Sequence, residues 1–334
     1  MAFINIFLKT LGFFLGTLTF VIILSLLISI SSNKNSNFKV IEGEPDSKNV
    51  IAEIPLNGPI FNNYNQLLTG SFVNYIDPNK IKEQLKNLEN YNPKVVIFKI
   101  NSPGGTVTAT HNLEYIIKKF KDKNKTKIYF YSDEILTSGA YWIATSGDKI
   151  FANYGAVIGS IGVNGPSWYY YKTPKSISKG IFAQRIETID EIKVYNQSAG
   201  SSKDLYNPFR KPTLDELNHL QSMVQEIYIN FVNKVSSSRK IEKNTLTNEI
   251  GALIYTSNQA KGNFLIDNIL EYDELIEMLL KENKFDDYKI LKIESQSSFV
   301  SKYLSMYLKT NSHNFCEKIN STFTMISPTF VEKC

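Results

Sequence analysis

Cysteine is nearly absent: Cys316 and Cys334, both close to the C-terminus, are the only 2 among 334 residues. With no CxxC pair, a thiolate zinc site and a disulfide framework are both excluded. Histidine is almost as scarce, with His111, His219 and His313 alone. Metal sites and triads built on imidazole therefore have little material to draw on. A dominant charge is missing too. The 37 Lys and Arg against 32 Asp and Glu leave a net +5, with no basic run of the kind that tracks a nucleic-acid backbone. No nucleic-acid partner and no cofactor are expected.

Long apolar runs are confined to one. Leu11 to Ile30 carries no charge and is preceded by Lys9. Twenty residues at a rise of about 1.5 Å match a hydrocarbon core of about 30 Å, so a transmembrane signal-anchor over 11–30 is expected after a short segment 1–10. The rival is a cleaved signal peptide, since Ser29-Ile30-Ser31 resembles a small-x-small site, but its apolar region is long for one. Lys9 and the α-amino group on one side against Lys34 and Lys39 on the other leave orientation nearly tied.

Beyond the anchor, 31–48 is polar and reads as a linker. Asn49–Leu56 reads as a first strand, and Asp77-Pro78 followed by Ile81, Leu85 and Leu88 as a capped helix. KVVIFKI from Lys94 to Ile100 has the continuous β-branched character of a buried parallel strand. Helix from Val107 to Phe120, strand from Thr126 to Tyr131 and a short helix from Ser138 to Thr145 follow. Short strands are then expected at Lys149–Ala152 and Val157–Val163. Alternation of this kind predicts βαβ crossovers and an α/β fold. Thr213 with Glu216 opens a long helix, and the domain closes with the helix Asp273–Lys281. A domain over 49–284 and a tail over 285–334 without a readable motif are expected.

Two turns carry chemistry, each following an apolar strand. In NSPGG, Asn101 to Gly105, paired glycines can present bare backbone N–H groups to a ligand, though an ordinary strand-to-helix turn would use the same residues. In LTSGAY, Ser138 stands where a helix begins. It reads either as a plain N-cap or as a nucleophile, with the Gly139 N–H and the helix dipole aimed at an oxyanion. The elbow G-x-S-x-G fails here, with Leu136 and Ala140 at the flanks. The histidines stand in no motif and read as surface or packing residues. That leaves a lysine base, which works only where its pKa is lowered. S-x-x-K spacings at Ser31/Lys34, Ser146/Lys149, Ser176/Lys179 and Ser237/Lys240 are as frequent as chance delivers in so Ser- and Lys-rich a chain. Lys203, in SAGSSKD, is by composition one solvated lysine among many.

Taken in order, SPGG at Ser102–Gly105, SGAY at Ser138–Tyr141, DKIFA at Asp148–Ala152, GSIGV at Gly159–Val163 and GSSKD at Gly200–Asp204 resemble the signal peptide peptidase A family, which includes protease IV. Tyr255 to Asp267 resembles a later segment of that family. The resemblance implies a crotonase- or Clp-protease-like βαβ superfold and a serine endopeptidase. Ser138 would be the nucleophile and Lys203 the base. The N–H groups of Gly139 and of Gly104 or Gly105 would form the oxyanion hole, and Ser160 would support the lysine. It also implies peptide substrates such as cleaved signal peptides, and a homo-oligomer whose active sites are shared between subunits. The anchor would sit in the inner or plasma membrane, with the body on the extracytoplasmic side. Departures are the long basic stretch 168–194 and Ala252, where the family often has Arg. The competing readings are a non-catalytic membrane scaffold in which Ser138 only caps its helix, and an acyl-CoA hydratase or isomerase of the same superfold.

Overall fold

The computed structural model describes residues 2–31, 38–62, 75–170, 197–293 and 324–326. Most of the stretch 168–194, with Ser176 and Lys179, and the tail residues His313, Cys316 and Cys334 lie outside them.

The chain begins with helix α1 (Ala2–Ser31). Its stretch Ile4–Leu24 is apolar, wholly exposed and, at 21 residues, about 31 Å long. The apolar helix thus starts before the expected Leu11, because Lys9 is the only charge in its first turns.

Strands β1 (Phe38–Gly43), β2 (Val50–Asn57), β3 (Val95–Asn101), β4 (Gly104–Thr106), β5 (Lys127–Ser132), β6 (Ile135–Thr137), β7 (Lys149–Ala152), β8 (Val157–Gly159), β9 (Ile254–Thr256), β10 (Asn268–Ile269), β11 (Lys289–Ile293) and β12 (Thr324–Ile326) follow. The helices among them are α2 (Pro78–Leu88), α3 (Val107–Asn124), α4 (Gly139–Ala144), α5 (Leu214–Arg239), α6 (Ser257–Gly262) and α7 (Tyr272–Asn283). The central sheet has seven strands in the order β1-β11-β2-β3-β5-β7-β10. All neighbours are parallel except β1 on β11. β2 lies on β3 in unbroken register from Ile51 opposite Val95 to Asn57 opposite Asn101.

The pleat of β3 explains its apolar run. Val96, Phe98 and Ile100 face one side, where Leu113 and Ile117 of α3 and Ile143 of α4 join the same core. Val95 and Ile97 face the other, where Leu275 and Leu279 of α7 cover them. A sheet buried on both faces needs no alternation, as read from the sequence.

The sheet reaches past the expected domain 49–284 at both ends. β1 lies in what reads as linker, and β11 lies in what reads as tail, inserted between β1 and β2. The reason is non-local. Lys289 to Lys292 pair with Val50 to Glu53, far away in the chain, and no short-range pattern announces that partnership. The expected strand Val157–Val163 also stops earlier, at Gly159, because Gly159 and Ser160 turn to positive φ.

A smaller layer, β6-β8-β9, stands beside the main sheet. It extends through a bridge between Leu136 and Ser102, which carries the turn after β3 to its edge.

Candidate active site

This layer brings three sequence-predicted elements side by side. The Ser102 N–H donates to the Ile135 carbonyl at 2.8 Å, and the Thr137 N–H donates to the Ser102 carbonyl at 3.3 Å. On the other flank, the Ser138 N–H donates to the Gly159 carbonyl at 2.8 Å. The SPGG turn, Ser138 and Ser160 therefore share one strand-end row.

Ser138 occupies the cap position of α4 but does not cap it. Its side chain makes no capping hydrogen bond, and its backbone sits at φ 57, ψ −123. That conformation is close to glycine-only for an L-residue and costs about 1–3 kcal/mol. The plain N-cap reading needs extended backbone and a bonded hydroxyl, and Ser138 has neither. The residue is held by the Ser138–Gly159 bond behind it and by the Trp142 N–H donating to its own carbonyl at 3.0 Å ahead. Beside it the buried Thr137 hydroxyl has no partner among the described residues. Sequence reading passed over Thr137, because a threonine at a strand end carries no signal of its own.

In the other turn Ser102 is fully buried and its hydroxyl accepts from the Gly104 N–H at 3.2 Å. Gly104 has φ 99. At Gly105 a Cβ would fall 2.0 Å from the Ile60 carbonyl oxygen, so no side chain fits. Thus one of the candidate oxyanion donors, Gly104, is already engaged by Ser102. Gly139 opens α4, where the first N–H groups of a helix lack intrahelical partners.

Ser160 is buried, with φ 54, and its N–H donates to the Leu253 carbonyl at 2.7 Å. A cavity of ≈ 330 Å³ opens beside it, lined among others by Gly162, Gln225, Tyr228 and Ala252.

Lys203 is not in the row. It lies exposed in the turn-rich segment before α5, and no hydrogen bond joins it to Ser138 among the described residues. The segment is nonetheless built. Arg210 donates to both Asp204 carboxylate oxygens, at 2.7 and 2.8 Å, and to both Glu216 oxygens, at 2.9 and 2.7 Å. Its guanidinium also lies over the Trp168 ring. The hydrogen bonds from Arg210 hold the carboxyls of Asp204 and Glu216 below their ordinary range. Glu216 in turn closes the capping box with Thr213, so α5 starts where the Lys203 turn is tied down. His111 and His219 are exposed, as packing-neutral histidines should be.

Behind Ser138, α4 is clamped from two sides. The buried Tyr141 hydroxyl donates to the Leu265 carbonyl at 2.7 Å. Trp142 Nε1 donates to Glu114 on α3, and Lys234 on α5 also donates to Glu114. Burial alone would raise the Glu114 carboxyl, but hydrogen bonds from Lys118 and Lys234 outweigh it and hold the group below 4.5. Burial, joined by the nearby Lys118 ammonium, depresses the Lys234 ammonium despite Glu114.

Ser138 thus stands in a strained turn between a parallel sheet and a short helix, with the glycines of the SPGG turn in the same strand-end row. The chain belongs to peptidase family S49, whose model matches residues 119–286. A relative named signal peptide peptidase SppA, from Enterococcus faecium, is 28% identical over 279 residues, covering 83% of this chain and 76% of the relative. A protease of Methanocaldococcus jannaschii is 28% identical over 293 residues, 79% of this chain and 85% of its own. Protease 4 of Haemophilus influenzae is 26% identical over 183 residues, 55% of this chain and 27% of its own.

Proposed function

We propose that this peptidase is a membrane-tethered serine endopeptidase in which Ser138 is the nucleophile and Lys203 of a neighbouring copy is the general base. The observation that carries the reading is Ser138 itself: strained, buried and uncapped at the N-terminus of α4. Strain of this kind persists only where the surroundings over-determine it, and here hydrogen bonds on both flanks do so.

In the reaction, Ser138 Oγ attacks the scissile carbonyl while the lysine takes its proton. The oxyanion develops against the N–H groups of Gly139 and Gly105, and the lysine then returns the proton to the leaving amine. Water repeats the sequence and frees the acyl group. A lysine serves as base only when taken out of water. The exposed Lys203 meets that need on a second copy's surface, with Arg210 holding its turn in shape. In this reading Ser160, next to the Gly159 carbonyl that accepts from the Ser138 N–H, supports that lysine. Substrates bind extended, pairing their backbone with strand edges, and peptides released from membrane proteins, signal peptide remnants among them, suit an enzyme anchored by α1. We place the body on the extracytoplasmic side of the inner or plasma membrane.

The test is turnover of an apolar fluorogenic peptide by the full-length protein in detergent. Ser138→Ala and Lys203→Ala should each lower kcat by about 10³-fold or more. Co-assembly of the two variants in equal amounts should restore about a quarter of wild-type activity, the share of sites that receive both groups when they come from different subunits. Full activity in Lys203→Ala would give the base to another residue. Inactive mixtures would place both groups in one chain.

A further inference from the structure

Helices α2 and α3 lie side by side, and a groove of ≈ 680 Å³ runs between them. Its floor is apolar, with Leu85 and Phe120 buried. Its rim is basic: Lys82 and Lys86 come from α2, Lys119 and Lys123 from α3. One carboxylate lines it, Glu89, and Lys123 already holds that at 2.6 Å. Lys82, Lys86 and Lys119 are exposed and form no ion pair among the described residues. Residues 63–74, which follow Asn62 at the groove, contain no Asp or Glu and so bring no countercharge. A cation in the last turn of a helix suits its dipole, which accounts for Lys86 and Lys123 but not for Lys82 or Lys119. Over both helices seven lysines stand against Glu83, Glu114 and Asp122, so most of the molecule's net +5 is gathered here.

The groove is also tied closely to the anchor. Phe38, the first residue of β1, packs edge-on against Tyr91 with ring centroids 5.7 Å apart. Tyr91 ends the turn Glu89–Tyr91 that closes α2, and Glu89 of that turn lines the groove. α1 ends at Ser31, and the chain from Ser31 to Phe38 spans about 25 Å at most, whatever its path. The groove end at Glu89 and Lys123 is thus kept within reach of any surface that holds α1. Tyr115, 60% exposed beside the rim, is a residue type of the membrane–water interface.

We propose that the α2–α3 groove seats an anionic phospholipid of the membrane that holds α1. The phosphate lies among Lys82, Lys86 and Lys119, and the glycerol and upper acyl chain lie over Leu85 and Phe120. The proposal rests on the anchored reading of α1 given above. An anchor alone leaves the body free to swing on its tether, and a second contact through lysines fixes one face against the lipid. An acidic peptide would match the charges equally well, but the short tether and Tyr115 favour the lipid.

The experiment places the full-length protein in nanodiscs of phosphatidylcholine, with and without phosphatidylglycerol as the anionic lipid. Lysines are labelled with a water-soluble succinimidyl ester and quantified one by one by mass spectrometry. A lysine at an anionic surface gains about fivefold in occupancy, so labelling of Lys82, Lys86 and Lys119 slows about fivefold in the anionic discs. Lys281, 81% exposed on α7, labels equally in both. Salt of about 1 M, where screening acts within about 3 Å, removes the difference. Amide hydrogen exchange of 78–89 and 115–124 is slower in the anionic discs for wild type. It is the same in both for the combined variant Lys82→Gln, Lys86→Gln, Lys119→Gln. Discs of either kind that fail to retain the protein overturn the anchored reading, and the proposal with it. Retained protein with equal labelling and exchange in both discs overturns the proposal alone. If the three lysines are then slow relative to Lys281 in both, the occupant is protein, a second copy or residues 63–74. Glycerol phosphate in solution protecting the lysines as well as the anionic discs do would make this a site for a soluble anion and overturn the lipid.

Discussion

At the scale of the residue, Ser138 and Gly105 concentrate the account, and their physics differ. Ser138 has ample reason to be glycine, since its φ of 57 and ψ of −123 tax any Cβ. Ser138→Gly should therefore raise stability by about 1 kcal/mol, the relieved strain less the entropy glycine adds to the unfolded chain, while abolishing turnover. Ser138→Ala should abolish turnover without that gain. Thermal denaturation of the two variants side by side checks this, and a glycine variant less stable than the alanine one would mean that no strain is stored there. Gly105 has the opposite constraint, with backbone 2.0 Å from where a Cβ would stand. Gly105→Ala should push the turn off Ile60 and cost about 10²–10³ in kcat through the lost oxyanion donor. Steady-state kinetics with unchanged kcat would remove Gly105 from the site. The serine and the glycines were legible in the sequence because each stands in a turn after an apolar strand. The strain at Ser138 was not, since φ and ψ leave no mark on composition.

At the scale of the element, the short helix α4 is held by contacts that no local pattern reveals. Glu114 and Lys234 read as ordinary charges on amphipathic helices, yet they pair directly across α3 and α5, with Trp142 donating to the same carboxylate. Their side chains are only 9% and 13% exposed, so removing one partner leaves a poorly solvated charge. Glu114→Gln should cost about 2–3 kcal/mol at neutral pH. The sign with pH follows from the lowered carboxyl. Its stabilisation is complete above 4.5 and is lost as pH falls through the depressed native value. Melting curves from pH 7 down to about 3 should show the gap between wild type and Glu114→Gln closing only in the acid limb, as the native carboxyl protonates. A constant gap would deny the ion pair its role. Arg210 works similarly for the Lys203 turn. Arg210→Met should speed proteolytic cleavage between 200 and 210 and lower kcat, and an unchanged cleavage rate would show the turn to be held by something else. Helices α2, α3 and α5 were legible from caps and stripes. β1 and β11 were not, because each is short, flanked by polar residues and defined by a distant partner.

At the scale of the whole molecule, the order of elements already implied a parallel α/β sheet, and β2, β3, β5 and β7 have that order, with β1 and β10 added at the two edges and β11 inserted from further along the chain. The insertion has a practical consequence. A body cut at residue 48 would lose β1 and expose the edge of β11, so the intact chain is the proper material for every assay proposed here. The strand-end row joins SPGG, Ser138 and Ser160 within one chain. Lys203 is exposed on a turn held by Arg210, and it is the proposed reading that takes it from a second copy. The most direct test is to treat the full-length protein with a fluorophosphonate and map the adduct by mass spectrometry. The account predicts one modified residue, Ser138, with labelling slowed by about 10³-fold or more in Lys203→Ala. An adduct on any other serine, or equal labelling without Lys203, would contradict it.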